Sequence, residues 1–315
     1  MGVRGRSMRW GHSAIERVGR EHRHRRPVGI GGGAAGTVGA MTNVPTVALS
    51  SGAPMPQLGF GVWQVPDSEA QPAVAEALRV GYRSVDTAAM YRNESGVGRA
   101  IAESGLDRAE VFLTTKLNND GHGHDAALSA FDASLERLGT DYVDLYLIHW
   151  PQPKADRYVD TWRAFIEIQR SGRARSIGVS NFTAEYLQRL IDETGVVPAV
   201  NQIELHPYLQ QREMRAFHAD HGIATEAWSP LGQGGALLAD PTVAVVAEKY
   251  GASPAQVVIA WHLAHGIVAI PKSVTPSRIS ENFAAAGITL ADDDVSVIDS
   301  LDRDGRIGPH PGTVG

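Results

Sequence analysis

Short apolar runs typical of buried parallel strands recur along this chain, and segments with helical spacing separate them. Apart from one long interval before the last run, the runs start about 24 to 32 residues apart, which is the repeat of one strand plus one helix. Eight such units predict a (β/α)₈ barrel. The runs begin near Leu58, Arg83, Val111, Val143, Arg175, Ala199, Ile223 and Ile267.

Amphipathic patterns between the runs predict the helices. The long interval before the eighth run leaves room for an extra helix near Pro241 to Tyr250, and Ser253 with Gln256 has the spacing of a capping box. A short β-hairpin, Thr46–Leu49 with the region of Met55, should precede the barrel, and extra helices should lie before and after strand 8. The apolar faces consist of Leu128, Phe131, Leu135 and Leu138, then Val159, Trp162 and Ile166, then Leu187, Leu190 and Ile191.

Residues 1–40 have a different character. They are rich in Arg, His and Gly and show neither helical nor strand periodicity, so we expect a disordered leader upstream of a functional start at Met41. Residues 41–315 are then a single barrel domain. The G-x-G-x-x-G at Gly31, Gly33 and Gly36 has no strand before it and no helical pattern after it, which argues against a nucleotide site there.

Composition narrows the functional classes. The net charge of −6 includes a formal +6 on residues 1–40, so the remainder carries −12 and does not have the basic surface expected of a nucleic-acid partner. The chain has no Cys, which excludes disulfides and thiolate chemistry. No apolar run approaches the ~20 residues that span a bilayer. A small molecule is therefore the expected partner, without nucleic acid or membrane.

Titratable residues follow three consecutive predicted strands. Asp86 ends the second strand, Lys116 the third and His149 the fourth, with Tyr91 in the loop after Asp86. Since the carboxyl ends of barrel strands share one rim, these side chains should converge. A cation beside a tyrosine can make it a competent acid, and a neighbouring histidine can hydrogen-bond the oxygen that receives the proton. This group suits proton donation to a carbonyl oxygen.

The later strands offer places for a hydride carrier. Ser180, Asn181 and Gln202 supply short hydroxyl and amide groups at strand ends, and Trp228 supplies a flat ring for stacking. No metal site is expected, because the H-x-H of His122 and His124 lacks a third ligand and is interpreted as a surface loop.

The segment after strand 8 predicts an anion site. Thr275 and Pro276 have the pattern of a helix cap and first residue, and free N–H groups at a helix start bind phosphate. Lys272 and Arg278 flank this start, with Asn282 one turn on. Two cations favour a phosphorylated adenosine ribose, and so NADP over NAD.

These stretches together resemble the aldo-keto reductase family, in particular its bacterial diketogluconate reductase-like branch. The similarity runs from about Val44 to Arg303 and rests on MPQLGFGVWQ, VDTAAMYRNE, TTKL, YVDLYLIHWP, SIGVSNF, NQIELHPYLQQ, EAWSPLGQG and IPKSVTPSRISENF. It implies a tetrad of Asp86, Tyr91, Lys116 and His149, with Tyr91 as proton donor, and pocket walls at Trp63 and Trp150. It implies cofactor contacts at Ser180, Asn181, Gln202, Trp228, Ser229, Leu231, Gln233, Lys272, Ser273, Arg278, Glu281 and Asn282.

The expected activity is NADPH-dependent reduction of aldehydes or ketones, including keto-sugar acids or dicarbonyls, by a cytoplasmic monomer. The chain ends soon after Arg303, so the resemblance implies a short C-terminal loop and an open substrate pocket. Two alternatives stay open at this point. One is an aldolase that uses Lys116 as a Schiff-base nucleophile, and the other is a nucleotide-sensing or structural barrel with little turnover.

Overall fold

The computed structural model describes residues 44–314, and the predicted disordered leader at residues 1–40 and start at Met41 lie outside this part of the chain. An antiparallel hairpin opens the described part, as predicted, with Val47 paired to Met55. Met55 and Leu49 pack against Phe112 and Val200, the first residues of two barrel strands. The hairpin therefore covers the amino end of the barrel. Its strands are β1 (Thr46–Ala48) and β2 (Pro54–Pro56).

Eight parallel strands follow in chain order, and each is hydrogen-bonded to the next. All begin within two residues of the predicted positions, which confirms the (β/α)₈ fold. They are β3 (Phe60–Gly61), β4 (Ser84–Asp86), β5 (Phe112–Leu117), β6 (Val143–Ile148), β7 (Ala174–Ser180), β8 (Val200–Glu204), β9 (Ala224–Trp228) and β10 (Val268–Ala269).

The first and last strands meet at a seam that closes the barrel. The Gly59 N–H donates to the carbonyl of Ala269 at 2.9 Å, and the Gly61 N–H donates to the carbonyl of Pro271 at 3.2 Å. A Cβ at position 61 would lie 2.8 Å from the carbonyl oxygen of Ile270. The seam therefore requires glycine, because β3 approaches the opposite backbone too closely for a side chain.

Helices surround the sheet, and their apolar faces are buried. Phe131, Trp162 and Leu187 are fully buried on three of them. Across residues 44–314, no helix has the length and apolar character that crossing a membrane requires. The helices are α1 (Asp67–Val80), α2 (Glu94–Glu103), α3 (His124–Leu138), α4 (Tyr158–Arg170), α5 (Ala184–Thr194), α6 (Arg212–His221), α7 (Gly235–Leu238), α8 (Pro241–Tyr250), α9 (Pro254–Ala264), α10 (Pro276–Ala284) and α11 (Asp292–Asp299).

The predicted cap of α9 is confirmed, whereas that of α10 differs from the prediction. Before α9, the Ser253 hydroxyl accepts from the Gln256 N–H at 3.3 Å, and the Gln256 side chain accepts from the Ser253 N–H at 2.9 Å, which completes the predicted capping box. Thr275 precedes α10 as predicted, but its hydroxyl makes no capping hydrogen bond. The Ser273 hydroxyl instead accepts from the Thr275 N–H at 3.1 Å, so the first turn of α10 keeps its own N–H groups available.

We expect the substitution Gly61→Ala to lower the free energy of unfolding by about 1–3 kcal/mol, because the added methyl group must displace the Ile270 backbone at the seam. Denaturant titration would measure the change. Gly235→Ala is the matched control, since a Cβ at position 235 meets no atom within 4 Å. Equal stability of the two variants would contradict this account of the seam.

Candidate active site

The centre of the site is a buried ion pair between neighbouring strands. Lys116 is the next-to-last residue of β5, and its Nζ lies 2.5 Å from the Asp86 carboxylate of β4 and 3.0 Å from the carbonyl oxygen of Thr87. Lys116 is fully buried and Asp86 is 2% exposed. Burial disfavours the charged lysine, but the Asp86 carboxylate outweighs that effect and holds the pKa of Lys116 above its usual value. Lys116 is therefore a fixed positive charge.

Tyr91 lies in a single turn of 3₁₀-helix, Ala89–Tyr91, which follows β4 after Thr87 and Ala88. The Lys116 ammonium is 5.1 Å from the centre of its ring. Burial raises the pKa of Tyr91 above its usual value, while the charge of Lys116 acts in the opposite direction and that of Asp86 adds to the rise. The sequence-based expectation considered only the lysine. The lysine does act as expected, but burial dominates the pKa of Tyr91.

His149 follows β6 and packs edge-to-face on Tyr91, with ring centres 5.7 Å apart. The side chain is 7% exposed. Burial and then the nearby Lys116 charge lower the pKa of His149 to about 3. Its Nδ1 has no hydrogen-bond partner within residues 44–314. The imidazole is thus neutral at physiological pH and can offer a hydrogen bond without gaining a charge.

Polar side chains at the ends of β7 and β9 form a connected network. The Asn181 amide donates to the carbonyl of His149 and to the Ser180 hydroxyl, both at 3.0 Å, and its oxygen accepts from the Trp228 indole at 2.8 Å. Asn181 adopts a left-handed backbone conformation with φ 64°. This network fixes the plane of the Trp228 ring relative to His149.

The side chain of Gln202, on β8, lines the cavity and also contacts residues in the barrel interior. Its amide donates to the Asp86 carboxylate at 2.8 Å and to the Glu226 carboxylate at 2.9 Å. Both N–H groups of the side chain are therefore used inside the barrel, which leaves the side-chain oxygen, Oε1, to contact a ligand.

Glu226 is the main interior residue that the sequence reasoning missed. It lies on β9, fully buried, two residues before Trp228. Residues two apart on a strand face the same side, so the inward placement of Trp228 was a signal that Glu226 also points into the barrel.

His122 also differs from its interpretation as a surface-loop residue. It is buried, and burial lowers its pKa to about 4, because the loop that holds it folds inward.

One cavity of about 1040 Å³ joins these groups at the carboxyl ends of the strands. Every predicted site residue except Lys116 lines it, and Lys116 lies behind this wall against Asp86. Its lining includes Trp63, Asp86, Tyr91, His149, Trp150, Ser180, Asn181, Gln202, Trp228, Ser229, Leu231, Gln233, Lys272, Ser273, Arg278, Glu281 and Asn282.

The two ends of the cavity differ in charge. Lys272 and Arg278, both exposed, lie next to the start of α10, where free N–H groups favour anions. The tetrad end is flanked by Trp63, Met90 and Ile307. Trp63 is 43% exposed and Ile307 46% exposed, so this end has an apolar rim.

The segment that follows α11 reaches the site. Glu204, fully buried at the end of β8, accepts from the N–H groups of Ile307 at 2.6 Å and Gly308 at 2.9 Å. Burial alone would raise the pKa of Glu204, but hydrogen bonds from His206 and these two N–H groups outweigh it and hold the pKa below its usual value. A Cβ at Gly308 would lie 2.5 Å from the Trp228 ring. The segment thus forms part of the cavity wall, which the expectation of an open pocket did not include.

Comparisons with known proteins agree with this geometry. The profile of the Aldo/keto reductase family matches residues 57–303. An aldo-keto reductase of Mycobacterium sp. (strain JLS) is 58% identical over 85% of this chain and 97% of its own length. The methylglyoxal reductase DkgA of Escherichia coli (strain K12) is 52% identical over 87% of this chain and its entire length. A crystal structure of a Gox0644 mutant in complex with NADPH superimposes with a TM-score of 0.83 at 50% identity, covering 87% of this chain and 99% of that one. The chain therefore belongs to the aldo/keto reductase family.

Proposed function

We propose that this chain reduces the carbonyl group of an aldehyde or ketone to an alcohol, with NADPH as the hydride source and Tyr91 as the proton donor. The observation that carries the proposal is the meeting of Tyr91, His149, Asp86 and Lys116 at one wall of a cavity whose other end holds two cations. A tyrosine acid needs a positive charge that does not itself give up a proton. Lys116 meets that need because Asp86 keeps it ionised.

Each of the four residues has a separate role in the reaction at the carbonyl oxygen. The Tyr91 hydroxyl gives its proton to that oxygen, and the charge of Lys116 stabilises the tyrosinate that remains. The neutral His149 imidazole donates a hydrogen bond to the same oxygen and fixes the position of the carbonyl. Asp86 acts through Lys116, by orienting its ammonium at 2.5 Å.

The cavity fits a dinucleotide with a 2′-phosphate. Lys272, Arg278 and the first turn of α10 form an anion site for that phosphate, with Ser273, Glu281 and Asn282 around the adenosine. Ser229, Leu231 and Gln233 would line the pyrophosphate. Trp228 would stack on the nicotinamide, whose carboxamide would contact Ser180, Asn181 and the Gln202 oxygen. When bound there, NADPH supplies the hydride that reduces the carbonyl carbon.

The aldolase alternative is disfavoured by the state of Lys116. A Schiff-base lysine must lose its proton and reach a substrate, whereas Lys116 is fully buried and held charged by Asp86. The sensor alternative is disfavoured by the complete tetrad, since binding a nucleotide does not require a tyrosine beside a buried ammonium.

The charge distribution of the cavity favours neutral substrates. The lining residues that the structure describes include one lysine, Lys272, and one arginine, Arg278. Both belong to the proposed phosphate site. Trp63, Met90 and Trp150 would face the substrate instead. A carboxylate buried there lacks a partner, so an uncharged aldehyde or dicarbonyl suits the pocket better than a keto-sugar acid.

We further propose that the chain acts in the cytoplasm as a monomer, with a small molecule as its partner and without nucleic acid or membrane. The absence of Cys fits the cytoplasm, and the acidic charge of residues 41–315 disfavours a nucleic-acid partner. Most exposed large apolar side chains of the described residues line the cavity, where a ligand would cover them, and Val245 and Val297 lie outside it. Those that line the cavity are Trp63, Met90, Val274 and Ile307.

Replacement of Tyr91 by Phe should lower kcat about 10²- to 10⁴-fold, since the proton donor is lost, while NADPH affinity stays close to that of the unaltered chain. Steady-state turnover of an aldehyde and fluorescence titration with NADPH would measure the two effects. Tyr142→Phe is the control, because it removes a hydroxyl from another ring that packs on cations, those of Arg108 and Arg175. Full activity of the Tyr91 variant would refute the assignment of the acid.

For substrates of matched size, we expect kcat/KM for a neutral aromatic aldehyde to exceed that for an aromatic α-keto acid by about tenfold or more. Adding a cation at the rim with Met90→Lys should reduce this ratio, whereas the uncharged Met90→Gln should not. A ratio near one in the unaltered protein would show that the pocket accepts carboxylates.

Gly308→Ala should weaken NADPH binding by about tenfold, because the new methyl group would displace the Trp228 ring from its stacking position. Gly312→Ala, in the same segment, is the control, since its nearest contact would be 3.3 Å from the His310 side chain. Unchanged affinity in the Gly308 variant would mean that Trp228 does not depend on the C-terminal segment.

A further inference from the structure

Glu226 is a carboxyl group in the barrel interior that the proposed reaction does not use. It is fully buried on β9, and its neighbour on β10 in the sheet register is the apolar Val268. One carboxyl oxygen, Oε2, accepts a hydrogen bond from Gln202 at 2.9 Å. The other, Oε1, has no hydrogen-bond partner within residues 44–314.

Gln202 links Glu226 to the tetrad. The same amide nitrogen that donates to Glu226 donates to the Asp86 carboxylate at 2.8 Å. Asp86 in turn holds the Lys116 ammonium at 2.5 Å. The chain of contacts therefore runs from Glu226 through one amide to the aspartate that orients the lysine, and its atoms come from strands on different sides of the barrel.

The charge of this buried group depends on the protonation of Glu226. The charges of Lys116 and Asp86 cancel each other. The cluster of Asp86, Lys116 and Glu226 is therefore neutral while Glu226 is protonated, and it carries one net negative charge when Glu226 is ionised. A buried carboxylate with an unpaired oxygen is costly. Burial and then the Asp86 charge raise the pKa of Glu226 to about 8, against the opposing effects of Gln202 and Lys116.

We infer that Glu226 is a positioning residue for the reduction: its protonated side chain holds Gln202 against Asp86, and loss of its proton adds a negative charge that weakens Tyr91 as an acid. The inference rests on the proposed function of Tyr91. The titratable groups that face Glu226 are Asp86 on β4, Lys116 on β5 and Tyr91 in the turn after β4. An ionised Glu226 raises the pKa of both Tyr91 and Lys116, so proton donation slows as the pH rises.

The first experiment measures single-turnover oxidation of bound NADPH by an aldehyde as a function of pH. In the unaltered protein the rate should fall about three- to tenfold as the pH passes from one unit below to one unit above the pKa of about 8. The isosteric Glu226→Gln stays neutral and should lose this fall. Glu248→Gln removes an exposed carboxylate and should keep the profile of the unaltered protein.

A second variant tests the contact to Gln202 rather than the charge. Glu226→Met removes the acceptor for one N–H of Gln202, so Gln202 should hold Asp86 less firmly and the single-turnover rate should fall about tenfold at every pH. A rate equal to that of Glu226→Gln throughout the pH range would contradict the positioning role.

The last measurement does not depend on activity. A carboxyl whose pKa is raised on folding binds its proton more tightly in the folded state, so it destabilises the protein progressively as the pH rises from its unfolded value of about 4.5 to its folded value of about 8. The free energy of unfolding of the unaltered protein should therefore decline relative to Glu226→Gln over that range. Parallel stability curves and superimposable rate profiles would overturn the inference. Absence of NADPH oxidation at every pH, with diverging stability curves, would instead refute the proposed function alone.

Discussion

The site depends on the burial of one positive charge. An isolated ammonium in the centre of a barrel would lose its hydration at a cost of several kcal/mol, and Lys116 is stable there because Asp86 and the carbonyl of Thr87 replace water around it. Removing Asp86 would leave that charge without compensation. The neighbouring side chains are consistent with the same constraint. Tyr91 places its ring beside the ammonium, and His149 remains neutral because a second positive charge at this depth is unfavourable.

The two ends of the barrel interior differ in polarity. Asp86, Gln202 and Glu226 occupy interior positions that branched apolar side chains usually fill in this fold. Apolar side chains fill the amino end, where Met55 of the hairpin belongs to one cluster with the strand starts Phe112 and Val200. The closed seam at Gly61 holds the strand register, so the carboxyl ends of β4 and β5 stay adjacent.

The sequence predicted the elements that depend on local pattern, and it failed where distant residues meet. Strand starts follow from apolar runs, and the Asp86, Lys116 and His149 positions follow from polar residues at strand ends. The contact between Gln202 and Asp86 joins residues 116 positions apart, and no local pattern encodes which N–H of an amide turns inward. The same is true of Glu204, whose partner Ile307 lies 103 positions away.

The pKa of Tyr91 shows a related gap in sequence reasoning. The residue types indicate that a lysine lies near a tyrosine, but only the packed structure shows that burial outweighs the lysine charge. The same result explains why the net charge of the buried cluster of Asp86, Lys116 and Glu226 affects Tyr91. Burial already opposes ionisation of Tyr91, so in the proposed reaction its loss of a proton depends on the surrounding charges, which include Glu226 with its pKa raised to about 8. The acid strength of Tyr91 is therefore set by burial together with charged side chains from β4, β5 and β9.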